Sequence, residues 1–149
     1  MPSFDLIDES WIPCLMANGC LRELSLRAVL TGPQDIQEVV DPAPTVTVAL
    51  HRLLLAILHR ALAGPRDAEH WRELWEAGAW DTGAVVNYLN RWRHRFDLFA
   101  RDRPFYQTRA IDHAYEDPIT KLTHELASQA NRVTLFDHTA PAQMAFSPA

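Results

Sequence analysis

The sequence predicts an α+β fold: a mostly helical body with an N-terminal β-hairpin, forming part of a larger domain. Three observations carry that expectation. Asn18-Gly19 is a strong hairpin signal within the stretch from Trp11 to Leu26. Four later segments place apolar residues at helical spacing behind capping residues, and two of them end at Gly or Pro stops. The chain then halts at Ser147-Pro148-Ala149, a helix-opening pair with no residues left to build the helix, so a piece of a longer protein is expected.

Each element has its own warrant. With Asn18-Gly19 as a two-residue loop, Cys20 pairs across from Ala17 and Cys14 from Glu23. The two thiols then point to opposite sides of the ribbon, and free thiols are expected; a longer loop would change this register. Trp11, Leu15, Leu24 and Leu26 should share the face that covers a core. Arg27 to Leu30 adds a short helical turn before Thr31-Gly32-Pro33, and Gln34 to Val40 carries no clear pattern.

Asp41-Pro42 opens the best helix. Leu50, Leu53, Leu54, Ile57, Leu58 and Ala61 follow the spacing of a buried stripe, and Gly64-Pro65 ends it. Asp67 caps a shorter helix with Trp71, Leu74 and Trp75 on one side and Gly78 as its stop. Asp81 starts the next, whose apolar face is Val85, Tyr88, Leu89, Trp92 and Phe96. Irregular chain follows from Arg101 through Gln107. Asp117-Pro118 opens a further helix in which Ile119, Leu122 and Leu126 should be buried. The periodicity ends after Ser128. The expected organisation is a body over 1–128, then a loop and the truncated start of a helix over 129–149.

Composition bounds the function. At 149 residues and 48% hydrophobic, with five Trp and six Phe, the chain can build a real core. A net charge of −5 gives no global field toward nucleic acid, so any such contact needs a local basic patch or partners that supply the charge. The apolar run from Leu53 to Leu58 is far short of the ~20 residues of a membrane span, and His51, Arg52, His59 and Arg60 flank it. The N-terminus does not read as a signal peptide, which leaves a cytoplasmic location and no membrane partner by default.

Catalytic patterns fail one by one. His124-Glu125 resembles a zinc-protease helix, but the second ligand position holds Ser128. His51 and His59 lie two turns apart and read as the solvated edge of a helix. Asp137-His138 has no evident nucleophile to serve, and five glycines form no phosphate cradle. No enzyme, metal or cofactor is expected.

Binding patterns are richer. Asn87, Asn90, Arg91, His94 and Arg95 fall together at helical spacing. Arg91 and Arg95 in such a cluster can hold phosphates, or simply complement the helix macrodipole. Phe105-Tyr106-Gln107 reads as a loop anchored by its aromatics, with a Gln able to meet a base edge. The tail loop offers Asn131, Arg132 and Thr134 as hydrogen-bonding groups, Leu135 and Phe136 as apolar contacts, and Asp137 and His138 beyond them. Single-stranded RNA is held by such a set, with Phe136 as the stacking plate. The residues alone fit equally a connector whose Leu135 and Phe136 tuck into the core.

A family resemblance favours the first reading. Phe4-Asp5-Leu6-Ile7-Asp8-Glu9-Ser10-Trp11-Ile12-Pro13 resembles the start of the large subunit, CasA, of the type I-E CRISPR Cascade. Further segments continue it in order: Leu53 to His59, Phe96-Asp97-Leu98-Phe99, Pro104 to Thr108, Pro118 to Leu122 and Asn131 to His138. The resemblance implies a non-catalytic subunit of an RNA-guided surveillance complex. It would contact the guide RNA 5′ end and read a short motif flanking the double-stranded DNA target, largely through the minor groove. It implies other Cascade subunits as partners, and a helicase–nuclease recruited by the full-length protein. Leu135-Phe136-Asp137-His138 falls where the family's RNA-contacting loop begins. Other members carry a Phe-Val-Asn type sequence there, so Asp137 puts a carboxylate where an amide stands. The family's strand-parting elements and C-terminal bundle would lie beyond Ala149. The alternatives are a helical interaction domain docking an acidic partner through its basic helix face, and a metal-assisted hydrolase built on His124 and His138.

Overall fold

The hairpin loop is one residue longer than the two-residue form, and that residue resets the sheet. In the computed structural model, which describes residues 3–108, β1 (Ile12–Met16) pairs antiparallel with β2 (Leu21–Leu24). Ala17-Asn18-Gly19 forms the loop, closed by Met16 N–H on the Cys20 carbonyl at 2.9 Å. Gly19 takes φ +83°, the left-handed position that a three-residue loop requires. Cys14 therefore sits opposite Arg22, not Glu23. A one-residue shift exchanges the faces of a strand. Ile12 and Cys14 are fully buried, while Trp11 and Leu15, expected on the core face, are only half-buried. Both thiols are free, Cys14 buried and Cys20 exposed.

Two elements follow the hairpin. Helix α1 (Leu26–Thr31) is capped by Ser25, whose hydroxyl accepts from Ala28 N–H at 3.2 Å. After a 3₁₀ turn over Pro33–Asp35, β3 (Ile36–Val39) pairs antiparallel with β1, giving the sheet order β2-β1-β3. This strand occupies the stretch the sequence left unassigned. Its Ile36-Gln37-Glu38-Val39 has only two apolar residues, too few to show a period.

Helix α2 (Pro44–Leu62) begins two residues later than expected. Asp41 Oδ1 accepts from Ala43 N–H at 2.8 Å, and Thr47 Oγ1 accepts from Asp41 N–H at 3.0 Å. Asp41 to Ala43 is thus an entry turn, and Pro44 takes the first helical position. Leu50, Leu54 and Ile57 are buried, where α2 meets β3 and α4 (Thr82–Trp92). By length and composition α2 could cross a membrane. However, Arg52 lies at its midpoint, where a charge costs about 2.5–3.5 kcal/mol, and its buried stripe is already used by the sheet and α4.

Helix α3 (Ala68–Ala77) has the expected ends. Asp67 Oδ1 accepts from His70 N–H at 2.8 Å, and Gly78 adopts φ +61° as the left-handed cap. It buries none of its residues, and Trp71 and Trp75 remain 53% and 74% exposed. Asp81 caps α4, accepting from Ala84 N–H at 3.0 Å, and Val85 and Leu89 are fully buried. Trp80 Nε1–H donates to the Leu30 carbonyl at 2.8 Å, tying the α3–α4 connection to α1.

Helix α4 stops at Trp92. Arg93–Arg95 tightens into a 3₁₀ turn that delivers Phe96 to the core. The chain then returns to its N-terminus. Leu6 N–H donates to the Phe96 carbonyl at 2.9 Å and Leu98 N–H to the Phe4 carbonyl at 3.1 Å. Asp97 accepts from Phe4 N–H, Phe99 N–H and the Ser3 hydroxyl at 3.2, 2.8 and 2.8 Å. The described residues belong to one compact unit, Met1–Arg109. The helix expected from Asp117, the body boundary at 128 and the tail loop lie outside the described residues.

Candidate functional site

Among the described residues, the arginines divide into two groups. Arg27 and Arg93 are consumed within the body. Arg27 Nε reaches Asp8 Oδ1 at 2.7 Å and its Nη2 reaches Asn90 Oδ1 at 3.2 Å. Arg93 Nη2 bridges Asp5 and Asp8. The Arg27 hydrogen bond, with Arg93 beside it, holds the Asp8 carboxyl below the usual carboxylate range despite some desolvation. This network fastens the N-terminal loop to α1 and to the end of α4.

Arg60 and Arg91 have no ion pair among the described residues. The packing of α2 on α4 brings both to one groove of about 450 Å³, lined also by Ala61, Ala84, Asn87, Tyr88 and Trp92. The two alanines leave the space. Arg91's guanidinium carbon lies 5.8 Å from the centre of the Trp92 ring. Tyr88 and Trp92 are half-buried with ring centroids 6.5 Å apart. Among the described residues, no carboxylate lines the groove.

The polar face expected on this helix is therefore only partly assembled. Asn87 and Arg91 meet in the groove, while Asn90 turns to Arg27. His94 and Arg95 ride on the 3₁₀ turn, exposed, and are not part of the groove wall. Arg60, read from the sequence as a solvated helix edge, joins through tertiary packing. No local pattern announces it, because its partner lies on another helix. Asn131, Arg132, Thr134, Leu135, Phe136, Asp137 and His138 lie outside the described residues.

Two other features bear on function. An apolar groove of about 460 Å³ runs between α2 and α3, walled by Leu55, Leu58, Leu62, Trp71, Leu74 and Trp75 among others. His51 and His59 are both exposed on α2, His51 with Nδ1 2.8 Å from the Thr47 carbonyl. Among the described residues, no three His, Cys, Asp or Glu side chains converge in a way that could hold a metal ion. Phe105 stacks on buried Phe96 with centroids 5.4 Å apart, as a loop anchor would, whereas Tyr106 is 88% exposed.

The described body thus places Arg60 and Arg91 beside Tyr88 and Trp92 in one groove. Comparison with known proteins gives the family. Residues 5–149 match the family model of the CRISPR-associated protein Cse1. Over 139 residues the chain is 42% identical to the CRISPR-associated protein CasA/Cse1 of Thermus thermophilus, covering 93% of this chain and 27% of that protein. The solved structure of Thermus thermophilus CasA superposes with a TM-score of 0.72 at 39% identity, covering 80% of this chain and 25% of that one. A chain of a CRISPR RNA-guided surveillance complex superposes with a TM-score of 0.65 at 28% identity, covering 72% and 23%. The protein belongs to the CRISPR-associated Cse1 (CasA) family, and it spans about a quarter of the length of these relatives.

Proposed function

We propose that the protein serves as a non-catalytic subunit of a Cascade-type, RNA-guided DNA surveillance complex. In it, the protein contacts the 5′ end of the guide RNA and contributes to recognition of the motif flanking a double-stranded DNA target. The observation that carries this reading is the family match over residues 5–149, together with likeness to a chain solved within an RNA-guided surveillance complex. The tail loop would supply the contact, with Phe136 stacking on a base and Asn131, Arg132, Thr134 and His138 bonding the backbone. Leu135 would pack beside Phe136, and Asp137 would accept from a base or ribose donor. Arg91 and Arg95 would add phosphate contacts. Other Cascade subunits would supply the positive charge that a chain of net charge −5 lacks. In the full-length protein the same subunit would recruit a helicase–nuclease.

The test is a Phe136→Ala variant titrated with guide RNA. Base–aromatic stacking contributes about 1–3 kcal/mol, so affinity should fall about 5- to 150-fold while circular dichroism stays unchanged. Wild-type affinity in a folded Phe136→Ala protein refutes the loop assignment.

A further inference from the structure

We infer that the groove between α2 and α4 is a second binding site, for the sugar–phosphate backbone of single-stranded RNA, in which Arg60 and Arg91 hold phosphate between them and Trp92 and Tyr88 flank the strand. The groove is concave, about 450 Å³, and carries two guanidinium groups that no carboxylate among the described residues engages. Arg27 and Arg93, by contrast, are already paired with Asp5, Asp8 and Asn90.

Cations near a helix C-terminus have a simpler role, complementing the macrodipole, and Arg60 and Arg91 both stand in last turns. The magnitudes decide against that as a full account. Each helix end carries about −0.5 charge, so two ends offset about one of the two positive charges. A surplus of about +1 remains in a groove that no described carboxylate lines.

The remaining lining favours RNA over an acidic peptide. Asn87 offers both a donor and acceptor, which suits a 2′-hydroxyl or base edge. Trp92 and Tyr88 offer partly exposed aromatic surface for a base or ribose, and an aspartate-rich peptide has nothing to place there. Arg91 is already steered by the Trp92 ring, which reduces the freedom it loses on binding. The inference rests on the reading of the protein as an RNA-contacting subunit and adds a site on the body, distinct in sequence from the tail loop.

The test uses the whole 149-residue chain and a mixed-sequence single-stranded RNA of twelve nucleotides. Binding is followed by anisotropy across a salt series, and by the Arg60 and Arg91 Nε–H and Trp92 indole N–H resonances of isotopically labelled protein. Those resonances should shift on titration. The Arg60→Gln/Arg91→Gln double variant should lower the slope of log K against log salt by about 0.7 per arginine, about 1.4 in all. Arg72→Gln, an exposed arginine on α3, should leave the slope unchanged. Absence of any shift in the groove resonances, or a double variant with the wild-type slope, overturns the inference. So does an oligoglutamate peptide that moves the groove resonances at lower concentration than the RNA does. The two assignments separate cleanly. Groove resonances that respond while Phe136→Ala binds normally leave the groove standing and remove the loop. An unaffected double variant beside an impaired Phe136→Ala does the reverse.

Discussion

Asp97 gathers three donors, from Phe4, Phe99 and Ser3, and so pins the N-terminal segment to the chain leaving α4. The backbone hydrogen bond from Phe99, with those from Ser3 and Phe4, holds its carboxyl below the ordinary range. Asp97→Asn puts an amide N–H₂ where one of those oxygens accepts, and is expected to lower the thermal midpoint at pH 7. Equality with wild type in calorimetry would show that the clamp contributes nothing. At the same scale, the two cysteines should differ sharply. Burial raises the Cys14 thiol's pKa and closes it off, whereas Cys20 is exposed. A thiol reagent should modify one cysteine per folded chain, Cys20, and the second only on unfolding; prompt modification of both would contradict the placement of β1 in the core. Much of this was hidden in the sequence. Asp97 and Phe4 stood out only as segments shared with a family, and their contact crosses more than ninety residues.

The helices were the most legible elements, and for identifiable reasons. Asp67, Gly78 and Asp81 act through local hydrogen bonds and local dihedrals, so their roles are written within four residues of each cap. The hairpin was legible as an element but not in register, because Asn18-Gly19 fits a two- or three-residue loop, and the pairing of β1 with β3 and the burial of Ile12 and Cys14 depend on distant parts of the chain. Strand β3 and the α2–α4 groove were not legible, since each exists only through a partner far along the chain. Helix ends supply a paired prediction. Gly78 and Ala63 both occupy left-handed C-cap positions, at φ +61° and +52°. Gly78→Ala should destabilise by about 1 kcal/mol, whereas Ala63→Gly should be neutral to stabilising by up to about 1 kcal/mol. Denaturant midpoints that move the same way in both variants would contradict these caps. The exposed Trp75 should tolerate Gln with little change in stability, as its side chain is three-quarters exposed.

At the scale of the whole molecule, the first of the segments that resemble the family, Phe4 to Pro13, serves the body. Leu6, Ile7 and Ile12 enter the core, Asp5 and Asp8 bind Arg27 and Arg93, and Trp11 donates to the Leu6 carbonyl at 2.9 Å. Resemblance in that segment therefore reports a shared scaffold, whereas the proposed RNA contacts lie in the groove and the tail loop. The scaffold's charge pairs set its acid stability. Asp8 and Asp97 both titrate below their unfolded values, so around pH 3–4 the folded state binds fewer protons than the unfolded one. Their contribution is complete above the unfolded carboxylate pKa of about 3.9 and is lost as pH falls through the lowered folded values. An Asp8→Asn/Asp97→Asn variant should accordingly show a flatter acid limb than wild type in a pH series of unfolding curves; identical limbs would contradict this. The central claim, that the protein meets the 5′ end of a guide RNA, is tested most directly by photo-crosslinking. A guide RNA carrying a photoreactive base within its first few nucleotides, assembled with the remaining Cascade subunits and this chain, should crosslink to this chain, and less so to Phe136→Ala. Crosslinks that form only to the other subunits would contradict it.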